Sequence, residues 1–337
     1  MDNNDSSIIR EMQRKIMESD IPETEKSRLL KTLIEQKGNT VNLMITGATG
    51  CGKSSTINAL FDLKKVAKVG ETPNPETMDI TCYELPHLIL WDSPGLGDGK
   101  EADERHAKNI IQKLNEKDKD GNLLIDLVLV ILDGSSRDLG TSYELINSVI
   151  APNLGPQKSS RILVAINQAD MAMKGKHWDD EKSLPDETLI KFLDEKAESV
   201  KQRIKEGTGL DVAPIYYSAG FMENGEQSKP YNISKLLDCI LRFVPKEKRV
   251  SVMNNINEDN FSFITERGFD VMDFGENIVG WGGDFAENVI DKMGLVGAPV
   301  AAAGLAASVV VGAAAEVVGG AVSIIGGIFD GIGDLFS

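Results

Sequence analysis

Residues 41–56 read VNLMITGATGCGKSST, and their reading decides the fold. Residues 41–45 make a short apolar run of the kind that forms a buried parallel strand. The run leads directly into Gly47-Ala48-Thr49-Gly50-Cys51-Gly52-Lys53-Ser54, a complete G-x-x-x-x-G-K-S pattern. At this spacing successive backbone N–H groups can curl around a polyphosphate, an approach that glycines permit without side-chain collision. Lys53 is then placed to reach the β- and γ-phosphates, and Ser54 to offer its hydroxyl to a magnesium ion. The helix predicted over residues 54–61 points its positive end at the same place.

Composition narrows the setting. The chain has 337 residues, 41% of them hydrophobic, enough for one large or two modest domains with a substantial core. A net charge of −16 argues against DNA and other polyphosphate backbones as partners. Cys51, Cys82 and Cys239 lie far apart with no metal-like spacing, which suits a reducing, cytoplasmic setting. The first residues, MDNNDSSIIREMQRK, lack the apolar core of a signal peptide. Apolar residues at helical spacing predict two short amphipathic helices within residues 1–38.

Downstream of the phosphate loop, residues 69–77 carry two threonines, two prolines and no periodicity, and read as a surface loop. A threonine there can close over a γ-phosphate and complete a magnesium shell. Thr77, just before the next strand, is favoured, with Thr72 as the alternative. Residues 79–85 and 87–91 form a predicted antiparallel hairpin around Pro86 that ends in Asp92-Ser93-Pro94-Gly95. This D-x-P-G places Asp92 to hold magnesium through a water and the Gly95 N–H to sense the γ-phosphate. Leu96 follows where some GTPases carry a water-orienting glutamine, so slow turnover is expected of an isolated monomer. His87 and His106 have no catalytic spacing and read as surface residues.

A polar helix is predicted over residues 102–115. Residues 125–132, IDLVLVIL, read as a central parallel strand, with a helix to about Val149. The strand at 161–166 ends in Asn167-Gln168-Ala169-Asp170, an N-Q-x-D form of a guanine-reading motif. The Asp170 carboxylate can accept from guanine N1–H and its exocyclic amine, a donor pair adenine lacks, so ATP should be rejected. Gln168 stands where lysine is usual. Residues 213–217 read as a strand ending in Ser218-Ala219, whose backbone is placed to meet the base oxygen.

With GATGCGKS, DSPG, NQAD and SA in this order, residues 41–245 resemble a translation-factor-class (TRAFAC) GTPase domain. The nearest likeness is to the Era/TrmE-like branch and its prophage-associated bacterial relatives, with a looser likeness to immunity-related GTPases. The resemblance implies a phosphate-loop α/β fold: a six-stranded, mostly parallel sheet with one antiparallel edge strand and helices on both faces. It also implies GTP or GDP with Mg2+, held by Gly47, Thr49, Gly50, Cys51, Gly52, Lys53, Ser54, Ser55, Asn167, Gln168, Asp170, Ser218 and Ala219. Magnesium would fall to Ser54, Thr77 and Asp92, and action on the phosphates to Lys53, Thr77 and Gly95. A leucine after D-x-P-G is similar to members that hydrolyse through dimerisation or alternative residues, so a homodimer or oligomer is an implied partner. Residues 174–187 read as an insertion.

An amphipathic helix over residues 233–243 closes the domain at 245. Residues 246–260 read as a polar linker. Residues 261–292 are rich in aromatics and acids, and residues 293–329 carry a single charged side chain, Glu316. Glycines at 297, 304, 312, 319, 326 and 333 make a small-residue stripe on any helix formed there. Three readings stand for this tail: a membrane-associating segment at the inner membrane, a soluble helical subdomain, or a low-complexity extension. Two function classes follow. One is a GTP-hydrolysing switch controlling a membrane-associating or self-associating tail; the other is a soluble nucleotide-dependent scaffold for a protein or ribosomal partner.

Overall fold

The structure, a computed structural model, describes residues 7–18, 23–63, 68–71, 80–155, 158–223 and 226–257. Thr72, Thr77 and all of residues 258–337, including the glycine-striped tail, lie outside the described residues. Two compact units emerge: Thr40–Pro245, and the described residues up to Asn39 together with those of 246–257.

In chain order the elements are α1 (Ser7–Glu18), α2 (Glu23–Lys37), β1 (Val41–Gly47), α3 (Lys53–Leu60), β2 (Lys68–Glu71), β3 (Thr81–Leu85) and β4 (Leu88–Asp92). There follow α4 (Lys100–Asn115), β5 (Leu127–Asp133), α5 (Gly140–Glu144), β6 (Ile162–Asn167), the short pair β7 (Trp178–Asp179) and β8 (Leu184–Pro185), α6 (Glu187–Thr208), β9 (Ile215–Tyr216), α7 (Ile233–Phe243) and α8 (Arg249–Met253).

The sheet of the larger unit has the order β2-β3-β4-β1-β5-β6-β9. From β4 to β9 every neighbouring pair is parallel, and β3 runs antiparallel to β4. This is the expected mixed sheet with one addition. Lys68–Glu71, expected as loop, pairs antiparallel with β3, so the reversed strand is no longer at the edge.

Strands β1, β5 and β6 are buried along nearly their whole length, as continuous apolar runs between two helical layers demand. On one face Val128, Val130 and Leu132 join Ile110 and Leu114 of α4 and Val200 and Ile204 of α6 in one core. The other face is covered by α3 and by α7, whose Leu236, Leu237, Ile240 and Leu241 are buried. One polar position on β1 is explained by pairing: Asn42 Oδ1 accepts from Trp91 Nε1 at 3.0 Å, and its N–H donates to Asp126 Oδ2 at 2.9 Å. Asp186 caps α6 by accepting from the N–H groups of Thr188 and Leu189 at 2.9 and 3.0 Å, and Gly209, at φ 74°, ends it. The helix expected to run to Val149 begins as α5 and continues as a π-helical stretch, Leu145–Ile150, that closes into a short 3-10 turn carrying Pro152.

In the smaller unit the expected linker is corrected. Residues 246–253 are helical, as Lys246–Lys248 and α8, and residues 250–256 are buried. Ser251 Oγ lies 2.8 Å from the Lys37 carbonyl and 2.6 Å from that of Asn39, serving the open C-terminal end of α2. Asn39 Nδ2 donates to the Glu247 carbonyl at 2.7 Å. Among the described residues no helix is long and apolar enough to cross a membrane.

Candidate nucleotide site

The parallel strands β1, β4, β5, β6 and β9 end on the same edge of the sheet, and the described motif residues lie at those strand ends, on the turns that leave them or at the start of α3. This is the edge of an open parallel sheet where ligands bind. The turn after β1 needs its glycines. Gly50 and Gly52 sit at φ 79° and 89°, in the left-handed region. A Cβ on Gly52 would collide with the Asn167 carboxamide, and one on Gly95 with the Thr49 side chain and backbone. The glycine of D-x-P-G is therefore packed directly onto the phosphate loop. The Thr49 N–H donates to the Leu96 carbonyl at 3.0 Å, tying the two motifs together.

Lys53 Nζ lies 3.3 Å from the carbonyls of Gly47 and Ala48, over the concave side of the turn. Ser54 is exposed at the first turn of α3. Cys51 is buried, and burial pushes its thiol up to about 11, so it fills space beneath the loop and is not a reactive thiolate. Ser93 bridges back to β1, its hydroxyl 2.7 Å from Thr46 Oγ1.

The segment expected to read the base is tied to this loop. Asn167, 2% exposed, donates from Nδ2 to the Cys51 carbonyl at 2.9 Å and accepts from the Ala219 N–H at 3.0 Å. Gln168, at φ 61°, donates from Nε2 to the Gly50 carbonyl at 2.8 Å. The amide at the unusual second position thus braces the phosphate loop. Asp170 is half-buried, and its carboxylate has no hydrogen bond or ion pair among the described residues. Ser218 is buried, and its hydroxyl accepts from the Gly220 N–H at 3.2 Å. The Ala219 N–H, expected to face a base oxygen, is taken by Asn167.

Asp92 carries the clearest electrostatic signal. Its Oδ1 is buried without a hydrogen-bond partner, and burial pushes the carboxyl up from 3.8 to about 6, with Lys53 opposing. A divalent cation fits such a group, an acid otherwise costly to ionise. Among the described residues no trio of metal-ligating side chains forms a closed cage. Because the folded carboxyl titrates above its unfolded value, its contribution to stability is full below 3.8 and is lost as pH rises through about 6. Asp92→Asn is therefore expected to stabilise the magnesium-free protein at pH 7.5 by about 2 kcal/mol and hardly at all at pH 4. Urea unfolding in EDTA checks this, and added Mg2+ should raise stability of the wild type only.

Several contacts had no signal in the sequence. His106, expected at the surface, is 6% exposed, with Nδ1 3.1 Å from the Gly95 carbonyl. Helix α4 starts earlier than expected, and its inward face brings the ring under D-x-P-G. Tyr217 is fully buried, its hydroxyl 2.7 Å from Thr56 Oγ1, so the strand before Ser218 is pinned to the helix after the phosphate loop. Lys196 of α6 donates to the carbonyls of Gly134 and Ser136 at 2.5 and 2.7 Å, and its own burial lowers its pKa.

Fold and motifs together give a phosphate-loop α/β domain similar to GTPase domains. Comparison with known proteins agrees at that level. The Interferon-inducible GTPase family profile matches residues 5–116. An uncharacterised Escherichia coli K12 protein, YkfA, is 27% identical over 172 residues, half of this chain and 55% of that protein. This chain thus spans about half the length of that relative. A probable GTP-binding protein EngB from Maridesulfovibrio salexigens is 29% identical over 146 residues, 41% of this chain and 68% of the relative. Among solved structures, Toc33 from Arabidopsis thaliana in complex with GDP and Mg2+ superposes with a TM-score of 0.42 at 15% identity, covering 72% of this chain and 98% of Toc33.

Proposed function

We propose that this chain is a magnesium-dependent GTP-binding and GTP-hydrolysing switch whose nucleotide state controls its C-terminal segment. The observation that carries the reading is Asn167: one buried carboxamide joins the phosphate loop at Cys51 to the base loop at Ala219. In this reading the backbone of residues 47–54 cradles the phosphates, and Lys53 moves from the loop carbonyls to β- and γ-oxygens. Asp170 selects guanine. Ser54 and Asp92 would hold magnesium, with Thr77 as their partner from outside the described residues; when bound, the ion neutralises charge between the β- and γ-phosphates.

Leu96 is 6% exposed and packed in the core, so its side chain is unavailable to water. Turnover by the monomer should then be slow, on the order of 10⁻⁴ to 10⁻² per second, as for GTPases without an activating partner. A second copy is the partner we favour for acceleration. Within the class, the motifs support a place near the Era/TrmE-like branch, and the match over residues 5–116 supports the looser immunity-related likeness. The direct test is nucleotide retention with Mg2+ and single-turnover phosphate release: wild type should keep GTP over ATP and release phosphate, and Lys53→Ala should do neither. A wild-type rate equal to that of Lys53→Ala would leave a binder without turnover.

The coupling to residues 293–329 rests on sequence: a stretch with one charge and a small-residue stripe, joined to a complete guanine motif set. Liposome flotation of the GTP-analogue form, the GDP form and a chain ending near Asn260 tests it. Flotation is expected to depend on nucleotide and to vanish on truncation. Equal behaviour of all three would favour the soluble scaffold.

A further inference from the structure

We propose that the cavity between the turn after β5 and residues 192–203 of α6 binds a multiply charged anion carrying a ring, of the nucleotide polyphosphate class, at a site separate from the phosphate loop. The cavity measures about 1000 Å³ and is walled by the Gly134–Arg137 turn, the chain after Asp170 and α6. That volume is at the upper end for small-molecule sites. Arg137, Lys174, Lys176 and Arg203 converge on it from three elements, with Glu195 the one carboxylate among the lining residues. In a chain of net charge −16 this is a local inversion of sign. The side chains of Arg137, Lys174 and Lys176 make no hydrogen bond or ion pair among the described residues. Four cations facing one space repel each other, and an anion there would remove that cost.

The lining is not charged throughout. Phe192 leaves 37% of its surface open, and the ring of Tyr143, also among the lining residues, has the Arg203 guanidinium 5.4 Å from its centroid. Open aromatic surface next to unpaired cations suits a planar ring joined to a charged group better than a bare inorganic ion. The site is also preformed. Lys196 bonds the carbonyls of Gly134 and Ser136, Asp133 Oδ1 accepts from the Ser135 N–H at 2.7 Å, and the Gly134 N–H donates to the Asn167 carbonyl at 2.7 Å. Lys174 is held at φ 64°, an uncommon conformation for a residue other than glycine. An acidic peptide would be drawn by the same charges, but it offers no ring for Phe192 and Tyr143.

ATP is a suitable probe, because Asp170 excludes adenine from the first site. The full chain, saturated with GDP and Mg2+, is dialysed against labelled ATP at 150 mM salt while bound GDP is counted. About one further equivalent of ATP is expected. The double variant K176E/R203E should lower ATP affinity at least tenfold with GDP retention unchanged. Hydrogen exchange should show ATP protecting residues 134–139 and 192–203. No ATP uptake, uptake unaltered in the double variant, or a hexaglutamate peptide binding where ATP does not would each overturn the proposal. Loss of GDP retention in the wild type would count against the GTPase reading, and is scored separately in the same samples.

Discussion

Asp170→Asn is expected to move base preference from guanine to xanthine, weakening GTP and strengthening XTP by about 100-fold each. The argument rests on donor and acceptor counts. A carboxylate offers two acceptors, matching the N1–H and exocyclic amine of guanine. A carboxamide offers one acceptor and one donor, matching the N1–H and C2 carbonyl of xanthine. The substitution keeps the shape and reverses the polarity of one bond, so each mismatched pairing forfeits a bond and buries an unpaired polar group. Asp170 is half-buried and has no partner of its own among the described residues, so the fold should change by less than about 0.5 kcal/mol. Competition of XTP and GTP against a fluorescent GDP analogue reads the swap, and Asp170→Ala should weaken both. If Asp170→Asn bound GTP as tightly as the wild type, the base would not be read from this position.

Much of the sheet was legible because its central strands are buried on both faces. LVLVILD can satisfy burial and backbone hydrogen bonding only between neighbours, and it is β5, flanked by β1 and β6. The phosphate loop was legible because glycine spacing is a backbone constraint written directly into residue identity. Gly47, Gly50 and Gly52 all take positive φ, at 151°, 79° and 89°. What escaped were roles that depend on who stands opposite. His106 shares a helix with many polar residues, and only the rotation of α4 brings it under Gly95. Residues 246–260 read as a polar linker because of Lys246-Glu247-Lys248-Arg249 and the polar run over residues 254–260. Buried in the smaller unit, Ser251 meets the carbonyls that end α2, which an apolar side chain could not do. The four cations of the proposed second site come from three segments spread over some 70 residues, so no window of sequence contains them.

Asn167→Ala should damage both halves of the nucleotide site at once, lowering stability by about 3 kcal/mol and guanine nucleotide affinity by more than about 100-fold. The side chain lies between two backbone groups from distant parts of the chain, the Cys51 carbonyl and the Ala219 N–H, and it is 2% exposed. Alanine leaves one buried acceptor and one buried donor unpaired, where no replacement side chain is in reach. The loss should also free Gly52, whose glycine identity is imposed by the carboxamide against it. Asn167→Asp separates the two roles. An aspartate can still accept from Ala219, but it presents an oxygen to the Cys51 carbonyl, so the base loop should hold its place while the phosphate loop loses its tie. Phosphate affinity should therefore fall further than base discrimination in that variant. Urea unfolding without nucleotide gives the stability term, and binding of GDP against guanosine separates phosphate from base. An alanine variant within about 0.5 kcal/mol of wild type, holding GDP as well, would mean that the loops are positioned independently and that Asn167 merely fills the space between them.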